Sequence, residues 1–337
     1  MTQLEGSHIL SVTQLELDTI QTIFSVANRM EPYALRHKRT RVLDGAILGN
    51  LFFEPSTRTR VSFGSAFNLL GGSVCETVGV GSSSLAKGES LFDTAKVLST
   101  YSDVIAMRHP DAFSVQEFAK GSQVPVINGG DGANEHPTQA LLDLFTIEKE
   151  LKQKEKTIDG MNIALMGDLK YGRTVHSLSK LLKLYNNIHF DLIAPAELQM
   201  PDYVMDEIDK AGHSYTIHHS LEGNLAKADI IYQTRIQEER FPSQDEANKY
   251  RGKFILNQQI YTEHSNGNAL ILHPLPRDSR CDANELDNDL NDNANLAIFR
   301  QADNGLLIRM ALFALTLGVD GQLEQYELPV NWYSRRG

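Results

Sequence analysis

Residues 46–60, AILGNLFFEPSTRTR, change character at their middle. Ala46 to Phe53 form a short, nearly all-apolar run, the mark of a strand covered on both faces. Glu54-Pro55-Ser56-Thr57 are helix-start residues. Val61, Ala66, Phe67 and Leu70 then suggest a helix that ends at Gly71-Gly72. A buried strand running straight into a helix is half of a βαβ unit. The chain on either side repeats the pattern. Strands are predicted at Ser73–Val78, Val104–Met107 and Val124–Asn128, with helical segments at 89–101, 113–120 and 137–150, and an earlier helix carries Leu17, Ile20, Phe24 and Ala27. Strands alternating with helices predict a mainly parallel sheet.

The stretch 148–156, EKELKQKEK, is almost wholly charged or polar and reads as a solvated helix end or linker. A second alternating series begins beyond it, with strands predicted at Asn162–Met166, His189–Ile193, Asp229–Tyr232, Lys253–Leu256 and Leu270–Leu272, and an apolar helix at Gly305–Leu317. The Asn- and Asp-rich stretch 282–295 lacks the Gly and Glu placement of a calcium loop and reads as loop and capping material. The expected architecture is α/β, with two doubly wound parallel-sheet domains over 1–150 and 151–304. The helix at 305–319 returns to the first domain, and 320–337 is a tail of unassigned role.

The 337 residues suit two domains of ordinary size. With 32 Lys and Arg against 43 Asp and Glu, the net charge of −11 argues against a general binder of nucleic acid or anionic membranes. It leaves room for a small basic pocket. Cys75 and Cys281 make no CxxC pair, so no zinc ribbon or dithiol site is expected, and such sparse use fits a reducing compartment. The N-terminus lacks the pattern of a signal peptide, and Met310–Val319 is too short to span a bilayer. The expected location is the cytoplasm.

The candidate chemistry sits where strands are predicted to end, the edge at which open α/β sheets bind ligands. At Phe53–Arg60 a helix start offers backbone N–H groups and a dipole to an anion. Ser56, Thr57 and Thr59 add hydroxyls, and Arg58 adds a planar fork suited to phosphate. No GxxxxGK[ST] loop is present. The loop Ser82–Glu89 holds Lys87, which can bring an ammonium to a phosphate. Arg108 and His109 follow the strand 104–107. His136 precedes Pro137, a residue suited to the first helical position, so His136 can polarise a carbonyl and Gln139 can read an amide. In the second half, Gly167 and Gly172 bracket a strand-to-helix loop that opens on Arg173, a carboxylate anchor. The glycines are too far apart, with the third missing, for more than a weak dinucleotide signal. Arg235 and Gln237 follow the strand 229–232, and His273-Pro274-Leu275-Pro276-Arg277 forms a rigid loop whose carbonyls can accept from an amine. Taken singly, each has a plainer reading: a surface arginine, a packed histidine, a Ser-rich loop. As a set they lack a nucleophile and a metal cluster, and they suit the orientation and charge stabilisation of two anionic substrates.

These motifs, in this order, resemble the catalytic chains of aspartate carbamoyltransferases: FxxSTRTR from Phe53, KGE from Lys87, MRHP from Met107, HPTQ from His136, GDLKYGRTVHS from Gly167, TRxQ from Thr234 and HPLPR from His273. The likeness runs from about residue 12 to about 319. It implies an active site in the cleft between two domains, no cofactor and no metal, and transfer of a carbamoyl group from carbamoyl phosphate to L-aspartate, early in pyrimidine synthesis. By resemblance, Ser56, Thr57, Arg58 and Thr59 hold the phosphate. Thr59, Arg108 and His136 polarise the carbamoyl oxygen, and Gln139 meets the carbamoyl amide. Arg173, Arg235 and Gln237 hold the aspartate carboxylates, while the Leu275 carbonyl, with Pro276 shaping the loop, orients the amine. Glu54 would pair with Arg173 and Arg240 on domain closure. The family also implies a homotrimer in which Lys87 and a serine, Ser83 or Ser84, reach a neighbouring subunit's site. A separate zinc-containing regulatory chain, in a dodecamer of catalytic and regulatory chains, is left open. Ornithine carbamoyltransferase shares the STRTR and HPTQ-type motifs but typically carries HCLP where this chain has HPLP. A catalytically silent assembly subunit and a nicotinamide oxidoreductase are the more distant alternatives.

Overall fold

The computed structural model describes residues 4–79, 88–221, 224–238, 241, 243–278, 280 and 283–334. The chain divides into two compact units, one of residues up to Leu141 together with those from Asp303 onward, the other of Leu142–Ala302. The first division falls inside a helix, earlier than the boundary the charged stretch led us to expect.

The first unit contains α1 (Leu17–Ala34), β1 (Arg39–Thr40), β2 (Ile47–Phe52), α2 (Thr57–Leu69), β3 (Ser73–Val78), α3 (Leu91–Leu98), β4 (Val104–His109), α4 (Ser114–Gly121), β5 (Val126–Asp131) and the start of α5 (Pro137–Gln153). Its main sheet runs β3-β2-β4-β5, all parallel. Apolar residues of β2, β4 and β5 (Leu51, Ile105, Met107, Val126) pack against Ala95 of α3 and Val115 and Phe118 of α4. On α2, Phe63 and Phe67 meet Phe313 edge-on, at centroid distances of 5.9 and 5.0 Å.

The second unit holds most of α5, β6 (Asn162–Met166), α6 (Arg173–Leu182), β7 (His189–Ile193), α7 (Asp202–Lys210), β8 (Ser214–His218), β9 (Ile230–Gln233), α8 (Gln244–Asn248), α9 (Gln258–His264), β10 (Leu270–Leu272) and only the start of α10 (Ile298–Thr316), the rest of which belongs to the first unit. Its sheet runs β10-β9-β6-β7-β8, again all parallel. In both sheets the strand earliest in sequence lies inside, with later strands on either side, so each carries a point where the order reverses.

Three expectations change. Residues 253–256 are not a strand: Phe254 sits at φ +60°, and only Leu256 makes an isolated bridge, to Leu286. Strand β8 carries no apolar run, because it is an edge whose residues are mostly exposed. Helix α10 (Ile298–Thr316) starts ahead of Gly305. Its first turns carry polar residues, of which Gln301 and Asn304 are buried. Met310 to Leu315 are buried without exception, which explains why this stretch of the helix is apolar on every side. Among the described residues no single helix is long and apolar enough to cross a membrane.

Residues 320–334 of the tail pack on the first unit. A 3-10 turn at Asp320–Tyr326 buries Leu323, and β11 (Glu327–Leu328) pairs antiparallel with β1. Arg29 grips Glu324 through both carboxylate oxygens at 2.9 Å, Tyr33 and Lys38 donate to Glu327, and the Arg39 guanidinium lies 5.8 Å from the Trp332 ring centre.

Candidate active site

In the first unit the polar set gathers at the carboxyl edge of the main sheet. Ser56 is the N-cap of α2, and its hydroxyl is not used to cap the helix. The first helical hydrogen bond runs from the Arg60 N–H to the Ser56 carbonyl at 3.1 Å. The N–H groups of Thr57, Arg58 and Thr59 therefore lie ahead of it, at the positive end of the helix dipole. No acidic residue occupies that first turn. Thr57 and Arg58 are exposed, whereas Ser56 and Thr59 are half-buried. Arg60 turns away, to Glu76 on β3 at 2.9 Å.

Arg108 is delivered to the same edge by β4, whose register sets it against Phe52 of β2. It is buried. Its Nε donates to Glu54 at 3.2 Å, and a terminal nitrogen donates to the Gly129 carbonyl at 3.4 Å. Glu54, expected to serve domain closure, here accepts from Arg108. The neighbouring His109 meets Phe53 edge-on at a centroid distance of 5.7 Å, and burial lowers its pKa against the pull of Asp111, Glu54 and Asp131.

The loop that carries His136 is built around the buried carboxylate of Asp131, which accepts from the Phe113 and Glu135 backbone N–H groups and from the Asn128 and Asn134 side-chain amides. Glu135 in turn accepts from the Val12 N–H at 2.8 Å. His136 is buried just ahead of Pro137, the first residue of α5, and its carbonyl accepts from Gln139 at 3.0 Å and Ala140 at 3.1 Å. Gln139 is half-buried.

In the second unit three loops at one sheet edge carry the remaining residues. Asp168, fully buried, ties two of them together: it accepts from the Tyr171 N–H at 2.9 Å and the Gln237 N–H at 3.1 Å, and its own N–H donates to Thr234. The Gln237 amide reaches back to the Tyr171 carbonyl at 3.0 Å. Gly167 sits at φ +105°, where a Cβ would lie 2.3 Å from the Thr234 carbonyl oxygen. That close approach of two loops, not a nucleotide, is why glycine stands there. Arg173, buried, opens α6, and Arg235 is half-buried with one terminal nitrogen on the Ile236 carbonyl. The third loop has a cis bond between Leu275 and Pro276, with Leu275 at φ +55°.

Ser83, Ser84, Lys87 and Arg240 lie outside the described residues. Glu285 was not anticipated from sequence, since it stands amid acidic and amide residues that read as loop. No pattern marked it out.

Both units match family models. Residues 7–149 fit the aspartate/ornithine carbamoyltransferase carbamoyl-P binding domain, and residues 159–316 fit the Asp/Orn binding domain. The chain belongs to the aspartate/ornithine carbamoyltransferase family. Within it, the aspartate carbamoyltransferase catalytic subunit of Cellvibrio japonicus is 66% identical over 98% of this chain and 97% of its own length. The one from Saccharophagus degradans is 64% identical, with 98% of each chain covered. Aspartate transcarbamoylase from Trypanosoma cruzi, solved with carbamoyl phosphate and aspartate, superposes with a TM-score of 0.85 at 38% identity over 93% of this chain and 98% of that one. The same enzyme solved with N-(phosphonacetyl)-L-aspartic acid gives a TM-score of 0.85. The family's two matched regions leave the tail beyond residue 316 outside both.

Proposed function

We infer that this chain transfers the carbamoyl group of carbamoyl phosphate to the amine of L-aspartate, giving N-carbamoyl-L-aspartate and phosphate, an early step of pyrimidine synthesis. Its 66% identity to a catalytic subunit of that name, across nearly the full length of both, carries the reading. The donor sets agree with it. A helix start with hydroxyls and Arg58 suits a phosphate, and Arg173 with Arg235 suits a substrate bearing two carboxylates rather than the cationic ornithine.

The neutral amine attacks the carbamoyl carbon. A C–N bond forms, negative charge grows on the carbamoyl oxygen, and the C–O bond to phosphate breaks. Arg108, Thr59 and His136 stabilise that oxygen, Gln139 receives the amide, and the Leu275 carbonyl, shaped by Pro276, aims the attacking nitrogen. The departing phosphate takes the amine's proton and stays in the Ser56–Thr59 cradle until release. Gln237, with Arg173 and Arg235, holds the aspartate.

We further propose a homotrimer in which Lys87 and Ser83 or Ser84 act in a neighbouring subunit's site, in the cytoplasm, where two cysteines with no CxxC pair are at home. A regulatory chain would bring its own zinc site. Arg58→Ala should lower kcat/KM by about 100-fold or more, as loss of one oxyanion donor does. The wild type should gain thermal stability from N-(phosphonacetyl)-L-aspartate, and the variant should gain less. Near-normal turnover in the variant would overturn the assigned phosphate site.

A further inference from the structure

We propose that Glu285 is a positioning residue for aspartate, setting the direction of the Leu275 carbonyl through His273. This deepens the functional reading above and rests on the role given there to Leu275. Leu275 occupies the left-handed region at φ +55°. A branched side chain gains nothing from that conformation and is strained in it, so the surroundings must impose it. They impose it from both ends of the loop. On one side the Leu275 N–H donates to His273 Nδ1 at 2.8 Å. On the other, the Asp278 N–H donates to Glu285, at 3.1 Å to Oε1 and 3.3 Å to Oε2.

Both constraints end on Glu285. An imidazole nitrogen can accept the Leu275 N–H only if it carries no proton, so the proton of a neutral ring must sit on Nε2. There it meets Glu285 Oε1 at 2.8 Å. The carboxylate therefore selects the tautomer in which Nδ1 is an acceptor, as a carboxylate does behind a catalytic or metal-binding imidazole. His273 and Glu285 are 1% and 4% exposed, so water does not substitute for either group. The backbone of His273 is fixed separately: its N–H donates to Gln301, whose amide donates to Asp143, which also accepts from Tyr232. Glu285 is itself anchored where its carbonyl accepts from Leu256 at 2.9 Å. The pair is thus a buried strut between the strand β10 and the loop at 285–287, with the Leu275 carbonyl at its tip. Nothing in it requires Glu285 to touch substrate.

The test is steady-state kinetics on the full-length enzyme with three chains: wild type, Glu285→Gln and Glu285→Ala. Glutamine keeps an oxygen where Oε1 receives both His273 Nε2 and the Asp278 N–H, so it should stay within a few-fold of wild type. Alanine frees the ring and the loop together. It should raise the KM for aspartate or lower kcat by about 10- to 100-fold, the cost of displacing a reacting group by about an ångström. The KM for carbamoyl phosphate should stay within two-fold. Thermal midpoints and binding of carbamoyl phosphate alone report whether each variant is folded. If alanine leaves the aspartate parameters unchanged, or moves both substrates equally, or if glutamine fails as badly as alanine while still binding carbamoyl phosphate, the proposal is overturned. Should the alanine chain not fold, Glu285→Asp decides: its carboxylate, one methylene shorter, cannot hold His273 Nε2 and the Asp278 N–H together, so the KM for aspartate should rise several-fold while that for carbamoyl phosphate holds, and unchanged aspartate kinetics would overturn the proposal. Failure of the functional reading looks different: wild type itself would make no N-carbamoyl-L-aspartate.

Discussion

Single positions in this chain show how differently residues declare themselves. Arg58, Arg108 and Arg173 stand out in the sequence as a set, because several arginines at predicted strand ends converge on the edge where such sheets bind ligands. Gly167 also stands out, but its meaning was hidden. The sequence offers a glycine in a strand-to-helix loop, and only the structure supplies the Thr234 carbonyl that a Cβ would strike. Gly167→Ala should therefore destabilise the fold by about 2 kcal/mol or more in urea unfolding, since it combines a positive φ with a backbone clash. It should also raise the KM for aspartate, because the loops bearing Arg173 and Gln237 are joined there by Asp168. Glu285 lies at the other extreme. Its importance depends on a histidine tautomer and a loop conformation, neither of which has a sequence period or a spacing to reveal it.

Elements that bury one clean apolar face were legible, and those stabilised by other means were not. Strand β2 and helix α2 follow directly from AILGNLFFEPSTRTR. The charged end of α5 read as solvated, yet Glu150 is buried and accepts from Arg300 at 3.0 Å, with Lys154 donating to Asn295 at 2.7 Å. Polar residues pack here through partners far along the chain, which no local window contains. Glu150→Ala should cost about 1 kcal/mol in chemical denaturation, a figure discounted because Arg300 is half exposed. The tail is the same kind of case. Its short acidic turn reads as loop until Arg29, Lys38 and Tyr33 supply the partners. Glu324 and Glu327 are held below the usual carboxylate pKa, by their hydrogen bonds with Arg29 and with Tyr33 and Lys38 respectively. A depressed carboxylate pKa contributes stability above its unfolded value, 4.5, and loses it as pH falls through the folded one. Removing residues 320–337 should thus lower the thermal midpoint at pH 7, and that gap should narrow as the pH is taken below about 4.5. A gap that widened in acid would show that the ion pairs are not what holds the tail.

At the scale of the molecule, the net charge of −11 describes the surface and conceals the arginines at the strand ends, which we propose meet two anionic substrates. Alternating apolar runs and helix starts were enough to expect two parallel sheets, because βαβ connection leaves few other solutions. The strand orders, the early start of α10 and the docking of the tail depend on contacts between distant segments and emerge only in three dimensions. A shared-site trimer makes a prediction at this scale. A mixture of Lys87→Ala and Arg58→Ala chains, each feeble alone, should recover part of wild-type activity after the subunits are exchanged, since some sites then combine two intact contributions. No recovery would confine each site to its own chain. The most direct test of the whole account offers the purified chain carbamoyl phosphate with either L-aspartate or L-ornithine and follows the carbamoylated product. The account predicts N-carbamoyl-L-aspartate with release of phosphate and no appreciable citrulline. Carbamoylation of ornithine in preference to aspartate, or of neither, would contradict it.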